Sequence, residues 1–397
     1  MRGHIELPGD KSISHRIAML AAIAEHDCLI ENFNTGADCQ STLGCLRRLG
    51  ASTHGNLLVH PARLAAPAEP LDCGNSGSTL RMLLGLLAGQ NIPATLIGDL
   101  SLLRRPMQRV AAPLRHMGAV IDLRDENFAP VILREGVKRA AQHHLTIASA
   151  QVKSAVMLAG LRFPDTRVTE SVPTRDHTER LFEYLQLHRN RGAVPAFHYT
   201  VPGDPSSAAF FVAGALLHPD SDLTISNLLL NPFRVAYLRK LQHAGAKIDV
   251  VNRRLIQNEF VGDVRVRGGD LRNPIDVRPQ EVPSLIDEIP VLSILGTRCG
   301  FRVSGAGELR FKESDRIEAM VANLRALSIE VKEWDDGYQI HPGNLREGMA
   351  HTYGDHRIAM AFAVAGLEID DPECIKISLP EFFTLLQSLS DSGSTMI

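Results

Sequence analysis

One pattern recurs along this chain at intervals of roughly 60 residues, a scale at which each repeat is a supersecondary module that its neighbours must cover. The openings are Lys11-Ser12-Ile13-Ser14, Asn75-Ser76-Gly77-Ser78, Ser149-Ala150-Gln151-Val152, Asp204-Pro205-Ser206-Ser207, Asp287-Glu288-Ile289-Pro290 and Asp355-His356-Arg357, each leading into an apolar, Ala/Leu-rich helix. These first helices are hydrophobic nearly all round, which places them in an interior. In the fuller units a strand follows (Leu29 to Asn32, Ala94 to Ile97, Arg167 to Thr169, Leu223 to Ile225, Phe301 to Val303). A second, amphipathic helix then closes on a Gly-Ala step, at Gly50-Ala51, Gly118-Ala119 and Gly245-Ala246, where glycine suits the left-handed residue that ends a helix. Two short strands about a turn complete the unit, most plainly from Val331 to Ile340, whose Asp336-Gly337 pair is a hairpin signal. Trp334, the single tryptophan, falls in that hairpin and is assigned to packing.

Three such modules packed together can enclose what one cannot. The expected fold is therefore α/β (α+β), with two domains, each built from three βαβαββ-type units around parallel central helices enclosed by sheets. A length of 397 residues suits two domains better than one core. The third unit is irregular, because between the helix ending near Leu187 and Val201-Pro202-Gly203-Asp204 there is no room for a Gly-Ala step and hairpin. Val201 to Asp204 is the expected linker, and the similar Pro8-Gly9-Asp10 a second crossing, giving domains 10–201 and 1–9 plus 202–397.

At the first opening, two cations and two hydroxyls precede a helix with almost no polar face. A helix start carries unpaired N–H groups and a partial positive charge, so Lys11, Ser12 and Arg16 there describe a pocket for a compact dianion such as phosphate. An N-capped core helix with a solvated basic first turn accounts for the same residues. If the helix starts of each domain face the other domain, all six openings become parts of one cleft. A formal charge of -3 argues against a nucleic-acid or membrane-surface role, so any basic patch is local. The six cysteines lack metal-type spacing, the sixteen histidines form no HExxH-like pattern, and no metal is expected. No signal core, transit stretch or membrane span is evident, so reduced thiols in a cytoplasmic protein are expected.

Eight motifs occur in one order: Leu7-Pro8-Gly9-Asp10-Lys11-Ser12-Ile13-Ser14-His15-Arg16; Cys73-Gly74-Asn75-Ser76-Gly77-Ser78-Thr79-Leu80-Arg81; Gly98-Asp99 through Arg104-Arg105-Pro106-Met107; Ser149 to Ser154; Thr174-Arg175-Asp176-His177-Thr178-Glu179-Arg180; Asp287 to Pro290; Phe311-Lys312-Glu313-Ser314-Asp315-Arg316; and Gly354-Asp355-His356-Arg357-Ile358-Ala359-Met360. Together they resemble the enolpyruvyl transferase family, and within it the branch whose acceptor is shikimate 3-phosphate. The resemblance implies the two-domain inside-out α/β barrel of that family, with the active site in the interdomain cleft. It implies transfer of the enolpyruvyl group of phosphoenolpyruvate to shikimate 3-phosphate with release of phosphate, a step of the shikimate pathway, without a cofactor. The implied partners are these two small molecules, with neither nucleic acid nor membrane, and the chain is expected to act as a monomer.

By resemblance, Lys11, Ser12, Arg16, Ser149, Gln151, Thr174, Asp287 and Lys312 hold shikimate 3-phosphate; Thr174 stands where the family has serine, and Ala150 offers only its backbone. Lys11, Asn75, Gly77, Arg105, Gln151, Arg316 and Arg357 face phosphoenolpyruvate. Glyphosate competes with phosphoenolpyruvate in this family, and the small Gly77 implies sensitivity. The two substrates carry roughly five to six negative charges at about -1.5 to -2 per phosphate, which calls for a cluster of cations. Arginine suits such a site because its planar fork grips two oxygens and never deprotonates. Something must take the hydroxyl proton and something must supply a proton to the methylene carbon. Asp287 is assigned as the base, and Glu313 with Lys11 as the acid/base pair on the other reactant. A carboxylate facing an anion and a lysine among cations would both move toward neutrality. Glu313 could instead simply pair with Lys312 or Arg316. His356 and Asp355 are expected to position Arg357.

Two departures stand out. The family carries a lysine just before a Thr/Ser-Phe-Pro step near its end, whereas Ile375-Lys376-Ile377-Ser378-Leu379-Pro380 puts Ile377 at that register, with Lys376 aimed to the opposite face if the segment is a strand. The other is the short third unit. The alternatives are a catalytically impaired paralogue that binds shikimate 3-phosphate, and the branch acting on UDP-N-acetylglucosamine, whose loop cysteine is absent from Gly98 to Met107.

Overall fold

The computed structural model describes residues 1–54, 57–61, 63–189 and 192–391. The chain divides into two compact units, Gly9–Val201 and Met1–Pro8 with Pro202–Ile397. The first strand, β1 (Arg2–Glu6), belongs to the second of these.

The helices of the Gly9–Val201 unit are α1 (Lys11–Ala22), α2 (Ala37–Arg48), α3 (Gly77–Gln90), α4 (Gln108–His116), α5 (Ala150–Ala159) and α6 (His177–Tyr184). Its strands are β2 (Cys28–Glu31), β3 (Ser52–His54), β4 (Leu58–His60), β5 (Leu71–Asp72), β6 (Ala94–Ile97), β7 (Val120–Arg124), β8 (Phe128–Glu135), β9 (Gln142–Leu145), β10 (Arg167–Glu170) and β11 (His198–Thr200). They form two four-stranded sheets, β11-β2-β4-β3 and β5-β6-β8-β7, and the pair β9-β10. In each four-stranded sheet the first pairing is parallel and the others antiparallel.

The odd-numbered helices are the buried ones, as their lack of a polar face requires. From Gly77 to Gly89 only Ser78 of α3 is not buried. Small residues set how closely α3 and α5 approach: a Cβ on Gly85 would lie 2.2 Å from the Ala155 carbonyl oxygen, and one on Gly89 2.8 Å from that of Ala159. Because these contacts advance together along both helices, α3 and α5 run parallel.

The other unit repeats the plan with α7 (Pro205–Leu217), α8 (Ala236–His243), α9 (Val282–Leu285), α10 (Ile289–Cys299), α11 (Arg316–Ala326), α12 (His356–Val364) and α13 (Phe382–Asp391). Its further strands are β12 (Asp222–Leu229), β13 (Lys247–Ile256), β14 (Glu259–Arg267), β15 (Ile275–Val277), β16 (Phe301–Val303), β17 (Val331–Trp334), β18 (Gly337–Ile340), β19 (Met349–Ala350) and β20 (Glu368–Ile369). The sheets are β1-β12-β14-β13, β15-β16-β18-β17 and β19-β20. Asp204 caps α7 by accepting the N–H groups of Ser206 and Ser207, Pro205 opens it, and every residue to Leu217 is buried. Phe210 and Phe211 meet Phe382 of α13 with ring centroids 6.4 and 5.7 Å apart.

The Gly-Ala steps close their helices with φ of +113° at Gly50, +98° at Gly118 and +105° at Gly245. The expected hairpin pairs Trp334 with Gly337. Two features differ from the sequence expectation. The sixth unit, like the third, keeps only a two-stranded sheet. The stretch around Ile375 is a 3₁₀ turn, Glu373–Ile377, rather than a strand, so alternation of faces does not apply to Lys376. Beside the third unit, a cavity of about 610 Å³ opens between Met157, Leu161, Phe163, Val168 and Phe182. All six cysteines are free and buried, and no described helix is long and apolar enough to cross a membrane.

Candidate active site

In the Gly9–Val201 unit the starts of α1, α3 and α5 are tied into a closed set. Asp10 caps α1 through the Ile13 N–H, and one turn later the buried Arg16 guanidinium donates to Ser154 Oγ on α5 at 2.7 Å and to Thr178 Oγ1 on α6 at 2.8 Å. Its Nη1 also donates to the Ser12 carbonyl at 2.7 Å. Gln151 in the first turn of α5 receives Arg81 Nη1 of α3 at 2.7 Å and donates to Ser78 Oγ at 2.9 Å. From α3 back to α1 runs a hydroxyl chain, with Thr79 Oγ1 2.7 Å from Thr42 Oγ1 and the latter 2.7 Å from His15 Nδ1.

The turn before α4 presents Arg105, whose Nη2 donates to Asn75 Oδ1, in the loop before α3, at 2.8 Å and to Ser101 Oγ at 3.1 Å, while Asn75 Nδ2 donates to Asp99. A Cβ on Gly77 would sit 2.6 Å from Arg81 Nη1, so a side chain there would displace that guanidinium, while Arg105 Nη1 at 3.5 Å would be in ordinary contact. Lys11 Nζ pairs with Asp38 Oδ2 at 2.8 Å. Ser149 caps α5 through the Val152 N–H, and the Ala150 carbonyl accepts from Ser154 Oγ. Thr174 gives both its hydroxyl and its N–H to the Glu170 carboxylate, which Lys153 holds at 2.8 Å.

In the other unit the motif charges converge around one buried guanidinium. Arg316 Nε donates to Asp355 Oδ2 at 2.8 Å, Nη2 to Glu313 Oε2 at 2.6 Å and Nη1 to Asp287 Oδ1 at 3.3 Å. Lys312 Nζ lies 3.8 Å and Arg357 Nε 3.6 Å from that same Asp287 oxygen, and Arg357 Nη1 donates to the Asp287 carbonyl. Asp355 also caps α12 through the Arg357 N–H and accepts from Ser314 Oγ at 3.1 Å. Burial opposes the charge on Arg316, but Asp355, Glu313 and Asp287 outweigh it and hold the guanidinium protonated above the usual arginine range. Burial likewise opposes ionisation of Asp355, and Arg316 overcomes it, leaving that carboxyl below its usual range.

These positions bear on several sequence expectations. Glu313 does pair with Arg316, the alternative left open. Asp287 lies among Lys312, Arg316 and Arg357, and Lys11 has Asp38 beside it. Asp355 positions the side chain of Arg316 and only the backbone of Arg357. The Thr174 donors are committed to Glu170. Lys376 is exposed and paired with Glu373 at 2.6 Å. Sequence reasoning passed over Arg81, Asp38 and Glu170. Arg81, one turn beyond Gly77 within a quoted motif, was within its reach, whereas the two acids lie outside every motif and are recruited by folding.

A family model described as EPSP synthase (3-phosphoshikimate 1-carboxyvinyltransferase) matches residues 1–386. A 3-phosphoshikimate 1-carboxyvinyltransferase of Salinibacter ruber is 44% identical over 423 aligned positions, covering 99% of this chain and 98% of that protein. One of Solibacter usitatus is also 44% identical, covering 98% and 97%. The alignment to the first is longer than the 397 residues present here, so that relative carries stretches this chain lacks. Among solved structures, an EPSP synthase from Acinetobacter baumannii superposes with a TM-score of 0.82 at 35% identity, covering 98% of this chain and 95% of that one. The fold is the α/β enolpyruvyl transferase fold, and the chain belongs to the EPSP synthase (3-phosphoshikimate 1-carboxyvinyltransferase) family.

Proposed function

We propose that this chain transfers the enolpyruvyl group of phosphoenolpyruvate to the 5-hydroxyl of shikimate 3-phosphate and releases phosphate, in the shikimate pathway toward chorismate and the aromatic amino acids. Family membership favours this acceptor over UDP-N-acetylglucosamine. The observation that carries the chemistry is the gathering of Asp287, Lys312, Glu313, Arg316, Asp355 and Arg357 around one buried guanidinium, from stretches far apart in sequence.

In the proposed steps Asp287 takes the proton of the attacking hydroxyl as its oxygen bonds to the central carbon of phosphoenolpyruvate. Glu313, with Lys11, delivers a proton to the methylene carbon, which becomes a methyl group in a tetrahedral adduct. The bond between that carbon and the phosphate oxygen then breaks, the electron pair leaves with phosphate, which takes up the proton held by Asp287, and a methyl proton returns to Glu313 to restore the double bond. Lys11, Ser12, Arg16, Ser149, Ala150, Gln151, Thr174, Asp287 and Lys312 are proposed to hold shikimate 3-phosphate. Lys11, Asn75, Gly77, Arg105, Gln151, Arg316 and Arg357 are proposed to hold phosphoenolpyruvate. Fixed guanidiniums at a site of developing negative charge stabilise it without reorganising. For Thr174 to donate to a phosphate, its hydroxyl must turn from Glu170.

The substrates draw on residues of both 10–201 and 1–9 plus 202–397, which we take as two domains of three units each. A monomer in the cytoplasm is the proposed working form. A phosphate-release assay with both substrates tests the assignment. Release that requires both is expected; no release overturns it, and shikimate 3-phosphate binding without release identifies a silent paralogue. Glyphosate is expected to inhibit competitively with phosphoenolpyruvate.

A further inference from the structure

Among the buried titratable groups that the steps above leave unused is a histidine at the first helix start. His15, on the turn of α1 that carries Arg16, is wholly buried. Its Nδ1 lies 2.7 Å from Thr42 Oγ1 on α2, which lies 2.7 Å from Thr79 Oγ1 on α3. Thr79 Oγ1 is in turn 2.8 Å from Ser76 Oγ and 3.2 Å from the Asp38 carbonyl oxygen. Ser76 caps α3 and sits between Asn75 and Gly77, the residues assigned above to phosphoenolpyruvate.

Each hydroxyl in this chain has a single proton, which gives the chain a direction. The Asp38 carbonyl can only accept, so the Thr79 proton is best placed there or on Ser76, both away from Thr42. Thr79 then accepts from Thr42, and Thr42, its own proton used, accepts from His15. The reverse order would put the imidazole proton on Nε2, which is buried and has no hydrogen-bond partner among the described residues. A buried orphan N–H is rarer and costlier than an unused acceptor lone pair. Charging the ring does not resolve this, because burial first, and then Lys11 and Arg16, hold the imidazole neutral.

We infer that His15 is a positioning residue for the phosphoenolpyruvate loop: a neutral imidazole protonated on Nδ1, it heads a one-way hydrogen-bond chain through Thr42 and Thr79 that sets the Ser76 cap. The inference rests on the proposed transferase reaction and deepens it. Without His15 as donor, Thr42 is free to turn its proton outward, Thr79 loses its bond, and the cap holding Asn75 and Gly77 has alternative rotamers.

Steady-state kinetics of His15→Leu, His15→Asn and Thr42→Val test it alongside the unaltered protein. His15→Leu and Thr42→Val should each raise KM for phosphoenolpyruvate roughly ten-fold, the loss of about one hydrogen bond, with KM for shikimate 3-phosphate within about two-fold of the unaltered value. His15→Asn, whose amide can donate from a similar position, should recover most of that loss. Unchanged phosphoenolpyruvate KM in both deleting variants overturns the inference, as does failure of Asn to rescue. ¹⁵N spectra of the unaltered protein give a readout independent of variant folding: a neutral Nδ1–H imidazole for His15 supports the chain, and an Nε2–H or imidazolium signal overturns it. If the unaltered protein releases no phosphate, the reaction assignment fails; if it turns over normally and the variants match it, only the role of His15 fails.

Discussion

At the scale of single residues, the decisive feature is a guanidinium with almost no solvent contact, held by three carboxylates from three motifs. Removing one of the three leaves the buried charge only partly compensated, so Asp355→Ala is expected to cost up to about 3–5 kcal/mol in urea unfolding. The pH dependence follows in sign. Asp355 binds its proton less readily folded than unfolded, so its contribution is fully present above its ordinary value of 3.8 and disappears as pH falls through the lower folded value. Stability of the unaltered protein should therefore fall below pH 3.8, and an Asp355→Asn variant should show a flatter acid limb in that window. Glu313→Gln should lower kcat by about 10²- to 10⁴-fold, the range for a lost general acid or base, with much smaller changes in substrate affinity. Normal turnover would leave Glu313 only its ion pair with Arg316.

At the scale of elements, the contact between α3 and α5 links packing to the site. Gly85 allows a backbone approach that no Cβ can share, and the same two helices exchange the Gln151 bonds one turn nearer their starts. Gly85→Val is thus expected to destabilise the protein by about 1–3 kcal/mol by overpacking, measured by denaturant unfolding. Because the wedge also spreads the helix starts, KM for phosphoenolpyruvate should rise with it. A destabilised variant with unchanged KM would show that α3 can shift without disturbing its first turn.

For the whole molecule, repetition explains why a protein of net charge -3 can hold anionic ligands. Cations gather at helix starts, where backbone N–H groups and the helix dipole add to them, while the remaining surface balances the total. Ligand anions relieve that local repulsion. Shikimate 3-phosphate at about 100 times its Kd should stabilise the folded chain by about 2.7 kcal/mol, read as a rise in Tm by calorimetry. A ligand that leaves Tm unchanged at saturating concentration would contradict the proposed cation set.

The six buried helices, the strands after them and the Val331 to Ile340 hairpin were legible in the sequence because they depend on local pattern: an apolar circumference, β-branched runs, an Asp-Gly turn. The motif order likewise identified the family, since those residues are constrained together. Ile375 to Pro380 misled because its alternating apolar residues fit a strand as well as the tight turn that packing imposed. The two-stranded sheet of the sixth unit is a matter of pairing partners, which one segment cannot reveal. Tertiary structure alone decided which acid meets which base: Asp38 on Lys11, Glu170 on Lys153, Asp355 on Arg316. Those contacts join residues brought together only when the helices pack, and at such short range they outweigh anything composition or spacing implies about a charge's surroundings.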